Sequence, residues 1–210
     1  MSKDNTRPDK TQRLLAICGI IGPVSYVIVL ITLGSLEPGY SHVTQAMSTL
    51  GSPDARYPVI MNTAGLGLLG LAMVALAMGL DRGIRDGKGS KIGPGLIAVS
   101  GAAVVMLGIF HSEPGAEDPT AAGNMHSVFV LIGGFALLLA PLAISPRLKR
   151  DERWQSYVAY SLGTVVVAIV VAVLHASGVF ESWKGVIQRI AMAVPLIWFE
   201  VMAIKLLRVS

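Results

Sequence analysis

A chain of 210 residues that is 53% hydrophobic and only 14% charged departs from soluble domains, in which about a quarter of residues are charged. At about 20 apolar residues per membrane crossing, the length suits one helical bundle and leaves no room for a separate soluble domain. The net charge of +4 comes without a basic stripe or nucleic-acid motif, which argues against a nucleic-acid partner; the single cysteine, Cys18, excludes an internal disulfide and a Cys-x-x-Cys redox pair.

In chain order, residues 1–13 form a tail with Lys3, Arg7, Lys10 and Arg13, followed by an apolar segment over 14–34. The basic start resembles a secretory signal, but the segment is long and no small-x-small cleavage site follows, so it reads as an uncleaved first helix. Further apolar segments cover 58–80, 92–110, 125–144, 156–176 and 186–206, and 207–210 is a short tail. These runs are continuously apolar and lack the alternation of a β-barrel, and an open sheet would leave unpaired edge groups in hydrocarbon. The expected fold is therefore all-α, a polytopic transmembrane bundle of six helices.

Charge sets the expected orientation. Lys3, Arg7, Lys10 and Arg13 precede the first helix; Arg82, Arg85, Lys88 and Lys91 separate the second and third. Arg147, Lys149, Arg150 and Arg153 separate the fourth and fifth, and Lys205 and Arg208 close the chain. Only Arg56, Lys184 and Arg189 of the 17 basic residues fall on the other side. The excess of positive charge predicts that both termini are cytoplasmic. The outer connections then carry Glu37, Asp54, Glu113, Glu117, Asp118 and Glu181, and His42, His111, His126 and His175 lie in them or at the outer helix ends.

Three short echoes suggest pseudo-repeated helical hairpins: Ile21-Gly22-Pro23 with Ile92-Gly93-Pro94, Glu37-Pro38-Gly39 with Glu113-Pro114-Gly115, and Gly108-Ile109-Phe110 with Gly178-Val179-Phe180. Each returning helix also has a polar residue near its outer end, Asn62, His126 or Arg189, and equivalent hairpins would let these three approach one another beneath the outer loops. As ordinary interfacial residues near water they need no such role.

The stretch from Met47 through Ser48-Thr49-Leu50-Gly51 to Arg56, followed by Met61-Asn62 and the glycines from Gly65 to Gly70, resembles a prokaryotic membrane family catalogued as domain of unknown function 998. Gly108-Ile109-Phe110, His126 opening the fourth helix and Gly185-Val186-Ile187-Gln188-Arg189 opening the sixth extend the resemblance over nearly the whole chain. It implies six helices and a prokaryotic cytoplasmic membrane, and implies no activity. Where the family pattern places a proline and an aspartate after the third-helix aromatic, this chain has His111, Ser112 and Glu113.

Several constellations could carry chemistry. His111, His126 and His175 with Glu113 and Asp118 are the residue types that suit zinc, and a metal-activated water with a carboxylate base could hydrolyse a lipid ester or amide. Neither His-Glu-x-x-His nor His-x-x-x-His spacing occurs, so the ligands would come from separate segments, and no cofactor is called for. Haem ligation by two of the histidines would need a second redox station at the other face, where no histidine lies. A triad of Ser48, a histidine and Asp54 lacks a nucleophile-elbow pattern, and Ser48-Thr49 near Gly51, Pro53 and Asp54 reads first as turn and capping chemistry.

Within the helices, Arg189 is expected to snorkel or pair with Glu181, Glu113 or Asp118, and Glu200 to mark the inner interface or take part in proton coupling. Pro23, Pro94, Pro141 and Pro195 are expected to interrupt their helices; Gly65, Gly67 and Gly70 to mark close packing; and Trp154, Trp183 and Trp198 to anchor at the interfaces. The leading expectation is a protein that binds a lipid or other small ligand at an outer polar site formed by Asn62, His126, Arg189, His111 and His175. The alternatives are an intramembrane hydrolase with His126, Asp118, Glu113 or Ser48 as catalytic groups, and a small-molecule or proton-coupled transporter built on kinked helices and Glu200. Membrane lipids are the expected partners.

Overall fold

The computed structural model describes residues 10–84 and 91–209, leaving Lys3, Arg7, Arg85, Lys88 and most of the amino-terminal tail outside the described residues. Six long helices dominate: α1 (Lys10–Leu36), α2 (Pro58–Gly83), α3 (Ile92–Ile109), α4 (Ala121–Arg150), α5 (Tyr157–Ala176) and α6 (Lys184–Val209). Each is long and apolar enough to cross a membrane, and no strand occurs among the described residues. The protein is thus an all-α, six-span bundle.

Several helices run past the apolar stretches that announce them. The apolar segment 125–144 lies inside α4, which continues through Arg147, Lys149 and Arg150. A helix satisfies its own backbone in water as in lipid, so the end of the hydrocarbon does not end the helix. Basic side chains in the last turn also complement its partial negative charge.

Each helix packs on its neighbours in sequence, α6 returns to α1, and α6 also touches α2. Large apolar side chains such as Ile28, Phe135 and Val166, about 60% exposed, cover the periphery, where lipid is their matching solvent. Association between helices therefore rests on close fit. Gly70 and Gly101 meet reciprocally across α2 and α3: a Cβ on Gly70 would lie 2.5 Å from the Gly101 carbonyl oxygen, and one on Gly101 would lie 2.6 Å from that of Gly70. Any larger residue at either position would drive the two backbones apart.

Two expectations need correction. Trp183 is exposed, but Trp154 and Trp198 are fully buried: Trp198 donates its indole N–H to Ser161 Oγ at 2.9 Å, joining α6 to α5, and Trp154 packs against Tyr157 beneath the Lys205 ammonium. Both rings are core members: the Trp198 N–H finds a partner inside the bundle, whereas Trp154 is held by its ring contacts and its Nε1 has no hydrogen-bond partner among the described residues. Pro94 does not interrupt α3. It sits in the first turn, where no intrahelical N–H is needed, whereas Pro23, Pro141, Pro146 and Pro195 lie inside their helices.

The basic end is tied by ions. Arg147, 3% exposed, donates to Asp81 Oδ1 at 2.9 Å and to the carbonyl oxygens of Asp81 and Ile84 at 2.5 Å. Arg153 bonds the Asp151 carboxylate and reaches the Gly83 carbonyl at 2.9 Å. Both guanidinium groups thus satisfy the free carbonyls at the end of α2. A count of positive charges sees only a cytoplasmic flank here; the local signal was the acid at Asp81 and Asp151 within basic stretches.

A laced cap and an apolar groove at the acidic end

At the opposite end the connection 37–57 folds over the bundle instead of hanging into solvent. Its 3₁₀ turn, Met47–Gly51, buries Met47 and Leu50 in the core. Helices α6 and α2 then hold it from below. Gln188 Oε1 accepts the Met47 N–H at 2.7 Å, Val186 N–H donates to Val43 O at 3.2 Å, and Asn62 Nδ2 donates to Gly51 O at 3.0 Å. Ser112 Oγ completes the lacing by donating to Ser48 O at 2.7 Å.

Arg189 is the centre of the lacing. Nη1 reaches the carbonyl oxygens of His42 at 2.7 Å, Gly185 at 2.8 Å and Gln45 at 3.1 Å; Nη2 donates to the Tyr40 hydroxyl at 2.6 Å and to His42 Nδ1 at 3.0 Å. Instead of the carboxylates of Glu181, Glu113 or Asp118, the guanidinium takes backbone carbonyls, which the fold brings closer. Gly185, one helical turn earlier, makes that approach possible: a Cβ there would sit 2.5–2.8 Å from the carbonyl oxygens of Gln45, His42 and Val43. Gly185, Gln188 and Arg189 therefore act together as a grip on the loop backbone. Burial pushes the Tyr40 phenol up, opposed by the neighbouring cation, while burial and then Arg189 push the His42 imidazole down.

The remaining polar candidates are similarly engaged. Glu113 accepts from the Thr120 hydroxyl at 2.6 Å and from its N–H at 2.7 Å, so it braces the start of α4, and His111 Nε2 lies 3.3 Å from the same Oε1 that takes the hydroxyl. The Thr120 hydroxyl, then its N–H, then His111 hold the Glu113 carboxyl below the usual range. His126 Nδ1 bonds the Phe110 carbonyl at 2.8 Å, and Phe110 stacks on Phe129 with centroids 5.7 Å apart. Asp118, Asp54 and His175 are exposed. Among the described residues no three His, Cys, Asp or Glu side chains form a group that could hold a metal ion.

Asn62, His126 and Arg189 do share one physical role: each bonds a backbone carbonyl at this end of the bundle. Asn62 also sits in a π-helical turn, Met61–Gly67, within α2. Its carbonyl oxygen would be 2.4 Å from a Cβ on Gly108, so glycine at 108 lets α3 close against that turn.

Beside the cap a groove of about 290 Å³ opens between α1 and the start of α2. Ile28, Thr32 and Leu36 line one wall, Tyr57 and Ile60 the other. From Ile28 to Leu36 the helical rise gives about 12 Å of length. Ile28, Leu36 and Ile60 are 60%, 47% and 45% exposed, so the groove opens laterally on the bundle's lipid-facing surface. Arg56 neighbours the lining residue Tyr57, its guanidinium carbon 5.4 Å from the Tyr57 ring centroid, and its backbone N–H donates to Glu37 Oε2 at 2.8 Å. Hydropathy could not find this groove, since its walls come from residues that read as ordinary helix faces.

The fold and this end of it define a class: a six-span helical membrane protein whose long first connection is laced down as a cap. The chain belongs to the family of proteins of unknown function DUF998, which matches residues 20–205. No curated protein and no solved structure matches it.

Proposed function

We propose that this protein binds a membrane phospholipid, with one acyl chain in the groove between α1 and α2 and the headgroup at Arg56. The observation that carries this reading is the join of an apolar, laterally open groove to an exposed cation at one helix end. Acyl chains enter such a groove from the bilayer without crossing water, and a guanidinium on an aromatic face still presents donors to a phosphate. The positive-charge bias supports an orientation with both termini in the cytoplasm and the cap and groove mouth at the outer surface, and the resemblance to a prokaryotic family supports a prokaryotic cytoplasmic membrane.

Asn62, His126, Arg189 and Glu113 already spend hydrogen bonds within the protein, which makes the groove the better-supported place for a ligand. The test is the lipid retained by detergent-purified protein, measured by native mass spectrometry. Thr32→Trp fills the groove from an exposed position on α1 and is expected to reduce bound phospholipid at least fivefold while the thermal midpoint is kept. Unchanged retention would overturn the groove as the binding site.

A further inference from the structure

We infer that the groove selects phospholipids whose phosphate carries a primary ammonium group, an inference that rests on the lipid-binding reading above. The groove mouth holds two charges of opposite sign. Arg56 follows from one wall through Tyr57, and Glu37 from the other through Leu36. The Glu37 carboxylate accepts the Arg56 backbone N–H at 2.8 Å, while the Arg56 guanidinium turns to the Tyr57 ring face. The Glu37 carboxylate thus meets the Arg56 backbone and the Arg56 guanidinium meets the Tyr57 ring, and no ion pair joins the two charged ends among the described residues.

That arrangement discriminates among headgroups. A phosphate at Arg56 places the next few atoms of its headgroup near Glu37, whose carboxylate bonds the Arg56 backbone. A headgroup amine offers three N–H donors to the carboxylate. A quaternary choline has the charge without the donors, and a glycerol headgroup leaves the complex with net negative charge beside Glu37. Both charges are partly wet, so the preference is modest: about three- to fivefold for ethanolamine over glycerol headgroups, and less over choline. His42, Tyr40 and Arg189 are engaged with one another and with the loop backbone within the cap.

The experiment exposes the full-length protein in detergent to an equimolar mixture of ethanolamine, choline and glycerol phospholipids with identical acyl chains and reads the bound fractions by native mass spectrometry. Wild type is expected to retain the ethanolamine lipid about three- to fivefold over the glycerol lipid. Glu37→Gln keeps an acceptor for the Arg56 N–H and should bring the two to equal retention without lowering total lipid. Arg56→Gln should lower all three lipids. Equal retention of the three headgroups by wild type, with Thr32→Trp still lowering all of them, overturns the headgroup inference and leaves the groove standing. Retention indifferent to Thr32→Trp overturns the groove and this inference with it. A preference that survives Glu37→Gln overturns the role of that carboxylate.

Discussion

At the scale of single residues, Arg189 illustrates how a charge inside an apolar helix can be structural. Its half-buried guanidinium replaces water for three carbonyl oxygens and holds Tyr40 and His42 in the same grip. Replacing it with methionine keeps much of the apolar stem but strands those acceptors. The expected cost is about 2–3 kcal/mol, the range for hydrogen bonds to charged groups, read as a lower thermal midpoint in detergent; an unchanged midpoint would mean that Arg189 does not hold the cap. His42 adds a pH dependence. Its Nδ1 accepts from Arg189, so a proton there removes a bond and sets two cations together. Because burial and Arg189 hold its pKa below the ordinary value of about 6.5, the unfolded chain takes the proton first. Stability is therefore full above that value and falls as pH drops through it toward the folded pKa. The thermal midpoint should decline between pH 7.5 and pH 5, and His42→Asn, whose amide oxygen can still accept, should flatten that decline. A slope that persists in the variant would place the titrating group elsewhere. Glu200 makes a different prediction: its Oε2 is buried with no hydrogen-bond partner among the described residues, so Glu200→Leu should stabilise the fold by about 1 kcal/mol. A loss of stability would reveal a partner for that oxygen.

At the scale of helices, hydropathy carried the six spans because the bilayer demands about 20 apolar residues whatever the neighbouring helices do. The helix ends were less legible, as in α4, because backbone satisfaction extends the helix beyond the lipid. The pieces that carried the family resemblance find their physical meaning in tertiary contact. Gly185-Val186-Ile187-Gln188-Arg189 grips the loop, Asn62 holds Gly51, and Gly108 admits the Asn62 carbonyl. Residue types could point to a polar outer site, but they could not say that its side chains would be spent on backbone carbonyls contributed from far along the chain. For the same reason Arg147 read as topology alone, although it closes the end of α2 through two carbonyls and Asp81. Arg147→Met should cost about 3 kcal/mol by stranding those groups. Comparable loss from Lys149→Met, an exposed neighbour, would remove the distinction between a binding cation and a flanking one.

At the scale of the whole molecule, the placement of the groove in one leaflet depends on which end faces the cytoplasm. Alternating helices put Arg147, Arg153 and the end of α2 together at one end, and Arg56, Glu113, Arg189 and the cap at the other. The charge bias predicts that the first end is cytoplasmic, since moving arginine and lysine outward through the membrane is disfavoured. A cysteine-free background is one substitution away, because Cys18 is the single cysteine. On Cys18→Ala, Glu117→Cys should react with a membrane-impermeant maleimide in intact cells, and Lys149→Cys only after permeabilisation; both positions are exposed. The opposite pattern would move the groove mouth to the cytoplasmic leaflet, and labelling of both from one side would break the six-crossing path itself. With the expected pattern, a lipid drawn laterally between α1 and α2 comes from the outer leaflet. Its headgroup then meets Arg56 and Glu37 at the level where the cap, held by Arg189, keeps the first connection folded against the bundle.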